Sequence, residues 1–400
     1  MRNLPALRPV PGVRLDRPAL KLEVERLLNE ESPPELLAGN TEVLFAFDTV
    51  PVAFDLRAAL GLLYGAQLAG FYEPKTRRMV LASDLGSDAE RLTLYHELVH
   101  ALQDQHYQLS ALLDWQPGAS DALSALHALA EGDATSAMLD VYAASMGAAT
   151  GAVPPDLLRL DSLLTQATPE LAAVPGVITR SLLAPYVDGL AFVTQVRKQD
   201  GGWAAVDRAW RQRPTSTEQI LHPEKLWAQE AVVPVPPLTA PTGSEQATFR
   251  DVLGEQALRI LFEEWVPAAV AAEAASGWGG DRLAVFAHGE QRLVALHLVF
   301  DTSAAAERAL ITFARGALRS ELSGPANVPL RPFTEAGVAR VAVRTGVLCQ
   351  LRRARGPFAI ARHGSHIGVV LGPYTGRGTD VRAAGSCADA SRWASAIATH

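Results

Sequence analysis

The five-residue run His96-Glu97-Leu98-Val99-His100 constrains this chain more than any other stretch. On an α-helix, histidines four positions apart lie about 40° apart around the axis and about 6 Å along it, so both imidazoles can face one metal ion. Glu97 follows the first histidine directly, where its carboxylate can reach a water molecule on that ion. A hydrolytic zinc site needs these ligands and this base. The pattern therefore predicts a zinc centre on a helix.

The residues around this motif favour a helix. Ser87-Asp88-Ala89-Glu90 matches a capping box, in which a serine caps the first turn and a glutamate three positions later reaches back. Neither Pro nor Gly lies between Leu92 and Leu102. We expect the helix to begin near Asp88 and to be buried on most sides. An ordinary core or surface role for the histidines is the alternative, but burial would then leave three polar groups without partners.

A hairpin is predicted just before this helix, over residues 69–81, with a turn centred on Pro74. In zinc peptidases, an edge strand in this position pairs with an extended substrate by strand addition. A hairpin that only covers the helix is the alternative, and the sequence does not decide between the two.

A catalytic zinc ion takes three protein ligands, and the sequence offers two candidates for the third. His106 completes the spacing H-E-x-x-H-x-x-G-x-x-H, but Gln103 stands where this pattern has a glycine for a sharp turn. If the helix continues instead, His106 faces away from the metal. The second candidate is Glu131, on a helix predicted from Asp121 to Met146. We favour Glu131, with His127 as an outer group or a plain helix-face histidine.

Hydrolysis at such a site also needs a hydrogen-bond donor for the attacked carbonyl oxygen, which gains negative charge. Tyr186, on a helix predicted from Ile178 to Val196, and His222, at the end of a short predicted helix, are the candidates. A buried tyrosine with a satisfied hydroxyl and a histidine that caps a helix are the structural alternatives. Gly189 in the longer helix costs stability unless another element packs closely against it.

Several stretches of the chain resemble a bacterial family of gluzincin-type (HExxH) zinc metallopeptidase-like proteins. The resemblance covers most of residues 55 to 230. The matching segments are His96–His106, Ala69–Pro74, Ala130–Ala134, 185–193, 201–203 and 214–225, with a weaker match at 277–282.

The resemblance implies a mainly helical, zincin-like metallopeptidase domain with a small sheet. It also implies zinc as the cofactor, held by His96, His100 and Glu131, with Glu97 as the general base. Such proteins are commonly exported. No substrate follows from the resemblance.

Charge and hydropathy argue against two classes of protein. The net charge of −7 and the pI near 5.8 argue against a nucleic-acid binder. The apolar runs are shorter than the roughly 20 residues that cross a bilayer, so we expect no membrane span. Residues 1–5 lack a hydrophobic signal segment, which indicates either a cytosolic protein or a chain cut after its signal. The expected partner is a peptide or protein substrate.

The residue pattern changes after a proline-rich stretch, which predicts two domains. We expect a metallopeptidase domain over residues 1–231, a linker over 232–248 and a second domain over 249–400. The second domain begins with a helical stretch, Phe249 to Ala275. Paired strands and two further helices follow, which predicts an α+β domain with a mainly antiparallel sheet.

Both cysteines, Cys349 and Cys387, lie in the second domain and lack metal-ligand spacing. A disulfide between them would stabilise the fold by about 3 to 4 kcal/mol in the chain-entropy model and would imply an oxidising compartment. Two unrelated buried thiols are the alternative. With the resemblance, the disulfide reading predicts an extracytoplasmic protein, secreted or in the cell envelope.

Two functions fit these observations. The first is a zinc-dependent metallopeptidase that hydrolyses peptide bonds through a metal-activated water, with Glu97 as the general base; a hydrolase of another amide or ester would share this chemistry. The second is a non-catalytic or autoinhibited zinc-containing binding protein of the cell envelope. The intact Glu97 favours the first, because a decayed site usually loses its base first.

Overall fold

A computed structural model of the chain describes residues 2–67, 69–149, 173–322, 346–352, 354–376 and 380–399. The first part of the chain is mainly helical and carries one small sheet. Its elements are β1 (Gly12–Leu15), α1 (Arg17–Glu31), α2 (Pro34–Ala46), α3 (Leu56–Gln67), β2 (Gly70–Glu73), β3 (Arg78–Ala82), α4 (Ser87–Tyr107), α5 (Leu109–Leu112), α6 (Ser120–Ser145), α7 (Gly176–Asp200), α8 (Trp203–Gln212), α9 (Thr217–Leu221) and α10 (Pro223–Trp227).

The second part builds a seven-stranded sheet with helices on both faces, which confirms the prediction of an α+β chain with a mainly antiparallel sheet. Its elements are β4 (Gln246–Asp251), α11 (Gly254–Phe262), α12 (Ala268–Ala275), β5 (Trp278–His288), β6 (Gln291–Phe300), α13 (Ser303–Leu322), β7 (Val347–Arg352), β8 (Gly356–His363), β9 (His366–Thr375), β10 (Arg382–Ala383) and α14 (Cys387–Ala398).

The two sheets differ in pairing. The small sheet has the order β1-β3-β2, with β1 parallel to β3 and β2 antiparallel to it, so β2 is an edge strand. The large sheet has the order β4-β5-β6-β9-β8-β7, and β10 pairs with β9. Successive residues alternate between its faces: Leu283 packs in the cluster that contains Phe313 of α13, and Ala284 packs in the cluster that contains Ala394 of α14.

Residues from both sides of the predicted linker share one hydrophobic cluster. Phe47, which follows α2, packs between the large sheet and α13, with its ring centroid 6.0 Å from that of Phe358. Within the predicted linker, Val235 and Leu238 are buried, and the Val233 backbone N–H donates to the Gly279 carbonyl at 2.7 Å. The linker is therefore packed against the rest of the chain.

Two local predictions are wrong, and the contacts explain why. Gly86 is the N-cap of α4, and among the described residues no side chain caps this helix, because Glu90 accepts instead from Arg14 Nε at 2.8 Å. Residues 249–275 do not form one helix. Phe249 lies in β4, which pairs with β5, and Pro267 precedes the separate helix α12.

Cys349 on β7 and Cys387 at the start of α14 form a disulfide, with their Cα atoms 5.7 Å apart. The bond joins the edge strand of the large sheet to a helix on its face. It closes a loop with a sequence separation of 38, for which the chain-entropy model gives about 4 kcal/mol of stabilisation.

Over Gly176–Gln199, α7 is long and apolar enough to cross a membrane. Among the described residues it is the one helix with this length and composition. This is weak evidence, since a core helix passes the same test. Asp188 on α7 is buried and pairs with Arg259 of α11 at 2.7 Å, which places this helix against protein on that side.

The helices α6 and α7 cross with their backbones in contact. A Cβ atom on Gly132 would lie 2.1 Å from the Gly189 carbonyl oxygen, and a Cβ atom on Gly189 would lie 1.9 Å from the Ala128 carbonyl oxygen. The expectation that another element packs closely against Gly189 is therefore confirmed. The crossing brings Glu131 of α6 next to Tyr186, which lies about one turn before Gly189 on α7.

We predict that Gly189→Ala lowers the free energy of unfolding by at least about 1–3 kcal/mol, because the new methyl group overlaps the Ala128 carbonyl. Gly61→Ala is the matched control on α3, since among the described residues no atom outside the adjoining backbone of that helix lies within 4 Å of its Cβ position. There alanine should stabilise by about 0.5–1 kcal/mol. Urea unfolding measures both values, and equal effects would contradict a tight crossing.

A buried carboxylate links the first part of the chain to the second. Asp121 at the start of α6 accepts hydrogen bonds from the Thr217 backbone N–H, at 3.0 Å, and from the Thr217 hydroxyl. The same hydroxyl accepts from the Gln256 backbone N–H of α11 at 3.1 Å. Burial raises the pKa of Asp121 to about 8.

This pKa predicts a pH dependence of stability. The pKa of an unfolded aspartate is about 3.9, so between about pH 4 and pH 8 the folded protein binds a proton that the unfolded chain releases, and stability falls as the pH rises. Asp121→Asn keeps the acceptor oxygen and should flatten this slope by up to about 1.4 kcal/mol per pH unit. Urea unfolding from about pH 5 to about pH 8 tests this. The exposed control Asp114→Asn should leave the slope unchanged, and a flattened slope there would count against the assignment.

Candidate metal centre

Three side chains from two helices converge on one point. His96 and His100 lie one turn apart on α4, and Glu131 lies on α6. Oε2 of Glu131 is 3.1 Å from Nε2 of His96 and 3.3 Å from Nε2 of His100, and the two nitrogens are 3.0 Å apart. The structure thus brings together the three residues that the sequence indicates as metal ligands, which we call the candidate metal centre.

A hydrogen bond to Gln103 orients the His100 ring. Nδ1 of His100 lies 2.9 Å from the Gln103 side-chain oxygen, which can only accept, so Nδ1 carries a proton and donates, and Nε2 is the ring nitrogen that could bind a metal. Gln103 also donates to the Ala130 carbonyl at 3.0 Å, next to Glu131. In the sequence, Gln103 is notable only because it stands where the pattern H-E-x-x-H-x-x-G-x-x-H has a glycine. Gln103 lies three residues after His100 on the same helix face, and this spacing was the sequence signal that the two side chains could bond to each other.

The charges of the candidate metal centre favour a bound cation. Burial alone would lower the pKa of His100, but the Glu131 carboxylate outweighs it and raises the pKa to about 9. Burial likewise opposes ionisation of Glu131, yet the charges of His100 and His96 hold its pKa below the ordinary value. A positive charge is therefore stabilised between two imidazoles and a carboxylate. This set of nitrogen and oxygen donors fits a zinc ion.

Glu97 points from α4 to the edge strand β2. Its side chain is 7% exposed, and Oε2 accepts the Tyr72 backbone N–H at 2.7 Å. A carboxylate has several lone-pair sites, so this bond leaves capacity for proton transfer. The predicted hairpin is confirmed as β2 and β3. The Tyr72 backbone N–H of β2 is bonded to Glu97, so it is not available to pair with a substrate. At this residue the strand covers the helix α4.

Tyr186 lies beside the candidate metal centre. Its ring centroid is 6.2 Å from that of His96, with 24° between the ring planes, and its hydroxyl lies in the electrostatic field of the Glu131 carboxylate. The charge of Glu131, together with burial, raises the pKa of Tyr186 well above 10. The hydroxyl therefore stays protonated and remains a donor at neutral pH.

The other two candidate histidines have partners elsewhere. His222 ends α9, and its Nε2 pairs with Glu255 of α11 at 2.9 Å. The described residues that line the cavity over the metal centre do not include His222. His106 lies within α4, which continues to Tyr107 without a turn, and its Nε2 bonds to the Pro5 carbonyl at 2.8 Å.

A cavity of about 510 Å³ covers the candidate metal centre, which is within the usual size range of ligand pockets. His127, whose pKa is lowered by burial, lines it as a neutral ring. The polar groups that line the cavity include Glu97, Tyr72 and Tyr186. Apolar side chains come mainly from α1, α2 and the segment at α5: Val24, Leu27, Leu28, Leu36, Leu109 and Leu113.

Comparison with known proteins concerns the second part of the chain. Residues 244–382 match a family model described as a domain of unknown function (DUF8575). The match runs from just before β4 to β10 and excludes the residues of the candidate metal centre. No curated protein and no solved structure matches the chain.

We predict that Glu131→Gln weakens zinc binding by at least about 100-fold, since even changes outside the ligand set cost about 10- to 100-fold. His106→Ala should keep wild-type zinc content, because its nitrogen bonds to the Pro5 carbonyl. Zinc content after dialysis against a chelator measures both. The opposite ranking of the two variants would move the third ligand to His106.

Proposed function

We propose that this protein is a zinc-dependent metallopeptidase. His96, His100 and Glu131 would hold the ion, and Glu97 would be the general base. One observation carries the proposal: the three ligand atoms lie within 4.8 Å of one another, on two helices, under a cavity that Glu97 also lines. The adjacent small sheet supports a zincin-like fold for the first part of the chain.

The chemistry divides between the ion and the protein. A zinc ion held by His96, His100 and Glu131 would supply a Lewis acid for the attack of water on a carbonyl group. Glu97 accepts a proton from the attacking water and passes it to the leaving nitrogen. The Tyr186 hydroxyl donates a hydrogen bond to the carbonyl oxygen that gains negative charge.

The disulfide between Cys349 and Cys387 supports an extracytoplasmic location, because disulfides persist mainly in oxidising compartments. A peptide or protein substrate suits the cavity, whose lining combines apolar side chains with the polar groups of the candidate metal centre.

We expect Glu97→Gln to lower kcat by about 10² to 10⁴-fold while zinc content stays at the wild-type level, because Glu97 transfers protons and does not bind the ion. Glu90→Gln is the matched control: it makes the same chemical change on the same helix, where Glu90 pairs with Arg14. Cleavage of a mixed peptide library at equal zinc occupancy gives the rates.

An absence of cleavage by fully zinc-loaded wild type, across pH and library composition, would exclude the peptidase. A zinc-containing binding protein of the cell envelope would then be the better description. Equal loss of activity in both variants would show that the effect comes from the helix and not from the base.

A further inference from the structure

Tyr72 contacts the helix of the metal ligands at two points. Its backbone N–H donates to Glu97 Oε2 at 2.7 Å, and its hydroxyl donates to Asp104 Oδ2 at 2.9 Å. The side chains of all three residues are buried, at 8%, 7% and 5% exposure respectively. One residue of the edge strand β2 therefore holds two carboxylates of α4.

The spacing of the two carboxylates makes this double contact possible. Residues seven positions apart on an α-helix lie about 20° apart around the axis and about 10 Å along it, so Glu97 and Asp104 share one face. A strand that lies along this face presents an amide to one carboxylate and a phenol to the other. Burial, with the Asp104 charge, raises the pKa of Tyr72 to about 12, so the phenol remains a donor.

The N-terminal segment holds Asp104 from the other side. The Arg8 guanidinium lies 3.0 Å from Asp104 Oδ2, the same oxygen that accepts the Tyr72 hydroxyl. The next residue, Gln105, accepts the backbone N–H of Leu7 at 2.6 Å and that of Arg8 at 3.0 Å, and its amide donates back to the Arg8 carbonyl at 3.1 Å. Arg8 is thus fixed through its backbone as well as its side chain.

We infer that Tyr72 and Asp104 are positioning residues, which Arg8 anchors and which hold the Glu97 carboxylate in place for proton transfer. The inference rests on the proposed role of Glu97 as the general base. A glutamate side chain has three rotatable bonds, and a base must stay within hydrogen-bond reach of the proton that it accepts. The Tyr72 amide restricts this rotation while β2 stays against α4, and the Tyr72 phenol adds a side-chain bond between these two elements.

Tyr72→Phe is the decisive variant because it removes the phenol oxygen and keeps the ring and the backbone amide. We expect kcat to fall about 10- to 100-fold, with KM within about twofold and zinc content unchanged. Tyr107→Phe is the matched control. It removes a hydroxyl from α4 itself, which donates to Asp207 at 3.1 Å and accepts from Arg2 at 3.4 Å, and which forms no hydrogen bond to β2 among the described residues. Among the described residues its ring stacks on Trp210, at 4.6 Å between centroids.

Asp104 supplies a second test through a conservative change. Asp104→Asn keeps a carbonyl oxygen that can accept the phenol, whereas Asp104→Ala removes it. We expect Asp104→Asn to retain at least about tenfold more activity than Asp104→Ala. Equal activity of the two variants would contradict a role for the Tyr72–Asp104 bond.

Hydrogen exchange of the backbone amide at position 72 supplies a readout that needs no activity. It should become faster in Tyr72→Phe and stay at the wild-type rate in Tyr107→Phe, with and without zinc. Unchanged exchange in Tyr72→Phe, or faster exchange with kcat unchanged, would overturn the inference. If zinc-loaded wild type cleaves no peptide, the peptidase proposal fails, and the exchange rate alone decides whether the phenol holds β2 against Glu97.

Discussion

The candidate metal centre depends on a contact between two backbones. Gly132 and Gly189 let α6 and α7 approach so closely that a Cβ atom on either would overlap a carbonyl group. Glu131 directly precedes Gly132, so the contact between the two main chains sets its distance from Tyr186. Such a contact is more rigid than one between flexible side chains. Two residues without side chains thus set the distance between Glu131 and Tyr186.

The second helix pair, α4 and α6, is joined by polar contacts. Gln103 bonds to His100 and to the Ala130 carbonyl, so the same side chain orients His100 and holds the helix that carries Glu131. Asp133 on the far side of α6 is buried and pairs with Arg2 at 2.7 Å, while the Trp210 indole donates to it at 2.8 Å. Loss of one partner of such a buried pair is costly because it leaves an uncompensated charge. The N-terminal segment therefore contributes to the support of both ligand-bearing helices.

The two parts of the chain are held together by apolar and polar contacts. Phe47 enters the core beneath the large sheet, and Asp188 of α7 accepts hydrogen bonds from Gln256 and Arg259 of α11. Since α7 also carries Tyr186, the second part of the chain braces a helix of the candidate metal centre. The segment that matches the family model, 244–382, thus contacts a helix of the candidate metal centre through α11, although it contains none of the residues of that centre.

The sequence by itself determined many of the helices and strands and the spacing of His96 and His100. The spacing of His96 and His100 is a property of one helix, and strands such as β5 and β6 follow from short, mainly apolar runs, so both could be predicted without any knowledge of distant contacts. Tertiary structure decided the rest. It brought Glu131 to the histidines, distinguished Tyr186 from His222, and gave Tyr72, Gln103 and Asp104 their partners. The physical reason is that the role of a side chain depends on the group that faces it from another element. Residues 32 or 35 positions apart in the chain, such as Tyr72 and Asp104 or His96 and Glu131, show no sequence periodicity that would predict their contact.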